Sequence, residues 1–129
     1  MPIRSMEQDR AEFALTQIEA AHKLSGELPK EIRRHLNGLP ALIRMNGLGQ
    51  ALAFFRMKGT GSSHELIYQM VGAWLCAANS KGRIFTEHND ILSAITRSDV
   101  QHYMAAQNEA LALLEWLKKF AVAILPAAD

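Results

Sequence analysis

The chain has 129 residues, 49% of them hydrophobic and 21% charged, with a formal net charge of +1. That length fits one domain, residues 1–129, with a sizeable core, and the apolar content excludes a disordered chain. A charge this near zero excludes a uniformly basic nucleic-acid binder, and no apolar run approaches the roughly 18 residues of a membrane span.

Met1-Pro2-Ile3-Arg4 leads straight into charged sequence, unlike a signal peptide. Ser5 with Gln8 three residues on forms a capping box, and Glu7, Asp9 and Glu12 put negative charge where the helix dipole favours it. The first helix is therefore expected from Met6 to Leu24, with Phe13, Ala14, Ile18, Ala21 and Leu24 at helical spacing and Gly26 as the stop. Pro29 opens a short second helix to Leu36, with Ile32 and Leu36 inward. Asn37-Gly38 reads as its end, and the Leu39-Pro40 step disfavours helix at Leu39.

Leu39 to Gly59 reads as a third helix, the one about which the others pack. Pro40 suits a first turn and Gly59 a stop. On a helical projection Ala41, Leu48, Leu52 and Phe55 fall on one side and Ile43 and Phe54 nearly opposite, so the segment is apolar all round and expected to be buried all round. Gly47 and Gly49 inside it permit close helix contact. Asn46-Gly47 is also a turn dipeptide, which leaves a local break as the alternative to the continuous helix preferred here.

A loop from Thr60 to Ser63 follows. Ser62 with Glu65 is a second capping box, opening a fourth helix from His64 to Ala78 with Leu66, Met70, Ala73 and Trp74 on one face, widened by Ile67, Val71 and Leu75. Cys76, the one cysteine, sits in an apolar run and reads as a buried inert thiol, consistent with a reducing cytoplasm. Gly82 to Phe85 is the one place a strand would fit, but with nothing to pair it reads as a loop. Asn89 or Asp90 caps a fifth helix, Ile91 to Arg97. Ser98 with Gln101 is a third capping box, opening a last helix to Leu125 that Pro126 stops. The fold class is all-α, a single bundle of about six helices.

Chemistry is sparse. His22, His35, His64, His88 and His102 have no paired spacing for a metal, and no nucleotide loop is present, so neither metal nor cofactor is expected. Glu109 and Glu115 lie on opposing sides of the last helix, and no carboxylate pair has an evident reason to be buried; no catalytic residue is assigned. The basic residues are more informative. From Leu28 to Gly61 six bases (Lys30, Arg33, Arg34, Arg44, Arg56, Lys58) stand against one acid, Glu31. With Lys81, Arg83, Lys118 and Lys119, the residues Arg33, Arg34, Arg44, Arg56 and Lys58 are the candidates for tracking an RNA phosphate backbone. They alternate with apolar positions rather than exposed aromatics, which favours backbone contact over base stacking. The bland reading is that solvated faces and helix ends collect bases, as Lys118-Lys119 do near a C-terminus. Trp74 and Trp116 read as core.

The motif Leu39-Pro40-Ala41-Leu42-Ile43, then Asn46-Gly47-Leu48-Gly49-Gln50-Ala51-Leu52-Ala53-Phe54, then Lys58-Gly59, resembles the small all-helical subunit of type III-B CRISPR effector (Cmr) complexes. Arg10-Ala11 with Phe13-Ala14, and the segment from Glu109 through Ala121, are similar to that family's first and closing helices, so the resemblance spans essentially the whole chain. It implies a non-catalytic subunit that stacks with copies of itself and other Cmr subunits along an inner filament and contacts the guide and target RNA backbone. It also implies that Leu39, Pro40, Ile43, Gly47, Leu48, Gly49, Ala51, Phe54 and Trp116 are structural, and it singles out Arg44, Arg56 and Lys58 as the bases within the matching stretch. A helical protein-binding adaptor without RNA, and a small hydrolase whose site assembles only in three dimensions, are the competing readings.

Overall fold

The computed structural model describes residues 3–127. Met1 and Pro2, in the stretch read as unlike a signal peptide, and residues 128 and 129, within the expected domain, lie outside the described residues. Six helices follow in order: α1 (Met6–His22), α2 (Leu28–Asn46), α3 (Leu48–Arg56), α4 (Ser63–Cys76), α5 (Ile91–Arg97) and α6 (Val100–Ile124). Among the described residues there is no strand, and no helix is long and apolar enough to cross a membrane.

The hub is α2, which packs against α1, α3, α4 and α6. It runs unbroken through the Asn37-Gly38 stop expected from the sequence, with Pro40 inside it. The reason is packing. Ile32, Leu36, Leu39, Pro40 and Ile43 form one buried stripe at helical spacing, while Asn37 and Gly38 face solvent. Each fully buried aliphatic side chain contributes about 1.5–3 kcal/mol, enough to offset the hydrogen bond that Pro40 cannot donate and the low propensity of Gly38.

The break falls at Gly47 instead, the alternative the Asn46-Gly47 dipeptide allowed. Gly47 has φ +88°, outside the range of most side chains, and an added Cβ would lie 2.9 Å from Tyr103 Oη. No side chain of α3's own caps its start. The capping comes from α6: the Leu48 N–H donates to Gln107 Oε1 (3.0 Å) and the Gly49 N–H to Tyr103 Oη (3.0 Å). Gly49 is also tight against Ile95, whose Cγ2 would be 3.3 Å from a Cβ there. Splitting the expected helix turns its apolar surround outward in part. Met45 and Met57 are largely exposed, and Phe54 is 42% exposed, not core as expected.

The other ends follow local chemistry. The Ser5 box is complete: its hydroxyl accepts from the Gln8 N–H and the Gln8 side chain accepts from the Ser5 N–H. Ser62 caps α4 through the Glu65 N–H, but the Glu65 carboxylate does not reach back; it accepts from Gln69 one turn on. The cap of α6 is Asp99, not Ser98, because Ser98 closes α5 by donating to the Ile95 carbonyl. The segment Gly82 to Phe85 is a loop, as expected, pinned by the Ile84 and Phe85 N–H groups donating to the Leu75 carbonyl. Cys76 is buried, and burial pushes its thiol up to about 11.

Candidate nucleic-acid interface

The C-terminal ends of α2 and α3 carry the leading basic candidates. Arg44 stands exposed in the last turn of α2, and Arg56 closes α3 with its guanidinium carbon 5.8 Å from the centroid of the buried Tyr68 ring on α4. Tyr68 is itself fixed by donating to Asp90, the cap of α5, at 2.5 Å; burial first, then Asp90, raise its hydroxyl pKa. Just beyond α3, Lys58 is exposed with its ammonium 4.6 Å from the Phe54 centroid.

Close by, the fold brings together two histidines that the sequence separates widely. His35 of α2 and His64 of α4 stack with ring centroids 3.8 Å apart. Phe55 meets both edge-on, at 6.4 Å and 4.8 Å, and Phe54 meets His64 edge-on at 6.3 Å. Both imidazoles resist protonation. Burial is the main cause, reinforced at His35 by His64 and Arg34 and at His64 by Lys58; Glu31 opposes it at both. Arg34 and Lys58 therefore share one cationic neighbourhood, with Glu31 as the acid acting on it.

The remaining candidates are distributed elsewhere. Arg33 is half-buried and donates to the Leu125 carbonyl at 3.0 Å, tying α2 to the end of α6. Arg83 donates to the Phe85 and Thr86 carbonyls and braces its own loop. Lys81 is exposed in the turn after α4, and on α6 Lys118 is half-buried and Lys119 exposed.

Sequence reasoning missed the role of Glu109. Its side chain is 10% exposed and takes a two-pronged contact from Arg10 (Nε to Oε2, 2.7 Å; Nη2 to Oε1, 2.9 Å) and a third bond from the Trp74 indole (2.9 Å). Arg10 also reaches Glu7 at 2.5 Å, and Glu109 before Glu7 raises the guanidinium pKa further. Phe13 packs on Trp74 at 4.9 Å, and the backbone at Gly82 passes so close that a Cβ would lie 2.1 Å from the indole. This network joins α1, α4 and α6 and is structural. The apolar run around Trp74 signalled its burial, but only tertiary contact supplies the partners. Trp116, expected in the core, is instead half-buried, with its N–H on Glu7 and its ring 5.6 Å from Phe120.

A hydrolytic site finds little support in the geometry. A surface cavity of about 270 Å³ gathers Glu87, His88, Arg97, Ser98, Asp99 and His102. Yet Ser98 donates to a carbonyl, and Asp99, holding His102 at 2.8 Å, is the exposed cap of α6. That is helix-end chemistry. Among the described residues no group of three or more His, Cys, Asp or Glu side chains is arranged to hold a metal ion.

A family model described as CRISPR-associated protein (Cas_Cmr5) matches residues 6–124. A relative from Thermus thermophilus, the Cmr subunit Cmr5 of a CRISPR system, is 29% identical over 126 residues, covering 95% of this chain and 98% of the relative. The X-ray crystal structure of a CRISPR-associated Cmr5 family protein from the same organism is similar with a TM-score of 0.77 at 28% identity, across 96% of this chain and all of that one.

Proposed function

This chain belongs to the Cmr5 family of CRISPR-associated proteins, and on that premise we propose that it is the small, non-catalytic subunit of a cytoplasmic type III-B Cmr complex. It works there as one helical domain that stacks with further copies of itself and other Cmr subunits, and it holds the backbone of guide or target RNA in antiviral defence. The observation that carries the RNA contact is the cationic surface where the end of α3 packs against the His35 region of α2 and the start of α4. Arg34 and Lys58 act on the same half-buried pair of imidazoles and Arg56 lies on the adjoining α4 face, while Arg44 is exposed farther along α2, before the Gly47 break. Such a surface binds phosphates without reading bases, which suits a complex in which base pairing supplies specificity.

The test is binding of single-stranded RNA by the full chain as salt is varied, with Arg44, Arg56 and Lys58 changed to alanine. The unaltered chain should bind weakly and lose affinity steeply with salt. The triple variant should bind less and flatten the log–log slope by about 2, since each single-strand phosphate contact contributes about 0.7. An unchanged slope would move the RNA contact away from these residues. No binding at low salt would instead favour the protein-binding adaptor, for which the exposed Met45, Met57 and Val100 are the supporting observation.

A further inference from the structure

The sequence suggested bases interleaved with core positions and no exposed aromatic among them. The fold makes an exception at Phe54. The residue is 42% exposed, with Lys58 beside it, and it is held there. Phe55, 4% exposed, fills the space behind α3 with the stacked pair of His35 and His64, and Phe54 abuts that group through Phe55 (centroids 6.3 Å) and the edge of His64 (6.3 Å). The three inner rings leave the fourth at the surface. The ammonium of Lys58 meets it at 4.6 Å, on a flexible four-carbon stem that can exchange one partner for another. Arg56, two residues on, turns to another face of α3, toward Tyr68, and takes no part in this contact.

An aromatic ring at the surface with a mobile cation on it is the combination that binds unpaired nucleobases: the ring covers one face of the base and the cation holds its phosphate. A paired base has both faces covered by its neighbours in the helix and has no face to give. We propose that Phe54 is a stacking platform for one unpaired base of RNA, with Lys58 moving off the ring to the adjoining phosphate. This rests on the reading that the α2–α3 surface lies against RNA and adds to it a contact with a base.

The experiment uses the full chain at low salt with a short oligouridylate carrying one 5-iodouridine, which crosslinks on irradiation to an aromatic ring stacked on it. The crosslink should map to Phe54. Phe54→Leu, which keeps bulk but removes the π face, should abolish it and weaken single-stranded binding about tenfold, while the salt slope stays as it was. Phe54→Tyr should retain both, and binding of duplex RNA should be indifferent to either change. Full-strength, salt-dependent binding by Phe54→Leu, with the crosslink mapping elsewhere, would overturn the stacking platform and leave the backbone contact standing. No RNA binding by the unaltered chain would overturn both. Because the crosslink is mapped on the unaltered chain, the test does not depend on either variant folding.

Discussion

At the scale of single residues, the side chain with most at stake is Glu109. Three donors from two other helices converge on its two oxygens, so its charge is matched where little water reaches. Neutralising it strands the Arg10 guanidinium, which still has Glu7 but loses its forked partner. Removing one member of a buried pair costs more than the pair is worth against an apolar replacement of both. Glu109→Gln should therefore destabilise the chain by about 2–3 kcal/mol, read as a lower urea midpoint with an unchanged slope. The result should be independent of RNA binding, since the network faces α1 and α4 and not the α2–α3 surface. None of this was legible in the sequence. Arg10 and Glu109 are 99 positions apart, and spacing along one helix says only which faces of that helix a residue occupies.

At the scale of elements, α2 and its neighbour α3 were both misdivided by a reading that gave Gly38 and Gly47 their local meanings in the wrong order. Local signals placed the stop at Asn37-Gly38, and tertiary packing moved it to Gly47. Two glycine substitutions separate the cases. Gly38 lies within α2, and an added Cβ there meets nothing within 4 Å. Gly38→Ala should thus stabilise the protein by about 0.5–1 kcal/mol through the lower entropy of the unfolded chain and higher helix propensity. Gly47→Ala should destabilise it by more than that, about 1–3 kcal/mol, because alanine meets both the positive φ and the Tyr103 hydroxyl. Thermal unfolding of the two variants beside the unaltered chain checks both signs. If Gly38→Ala were as damaging as Gly47→Ala, the unbroken α2 would be wrong.

At the scale of the whole molecule, the packing of α2 on α4 builds a pH dependence into stability. His35 and His64 are harder to protonate in the folded chain than in the unfolded one. Below the ordinary histidine pKa of about 6.5 the unfolded state therefore binds more protons, and stability falls as pH falls from about 7 toward the depressed folded values. Urea midpoints measured from about pH 7.5 down to about pH 5, above the carboxylate range, should decline, and His64→Gln should make the decline shallower by removing one imidazole and its repulsion of the other. A flat profile would mean that the stacked pair is solvated or open in solution.

The sequence by itself determined the helical class, the start of α1, the whole of α5, the end of α6 and the burial of Trp74 and Cys76. These follow from periodicity, caps and stops, which act within a few residues of each other along the chain. It also carried a motif specific enough to point to the family. Tertiary structure alone decided that α2 passes through Pro40, that α3 takes its cap from Tyr103 and Gln107 of α6, that Glu109 is a buried hub, and that Phe54 and the His35–His64 pair meet beside Lys58. The physical reason is the same in each case: burial and hydrogen-bond partners from distant segments outweigh local propensities of about 1 kcal/mol, and those partners exist only once the helices have packed.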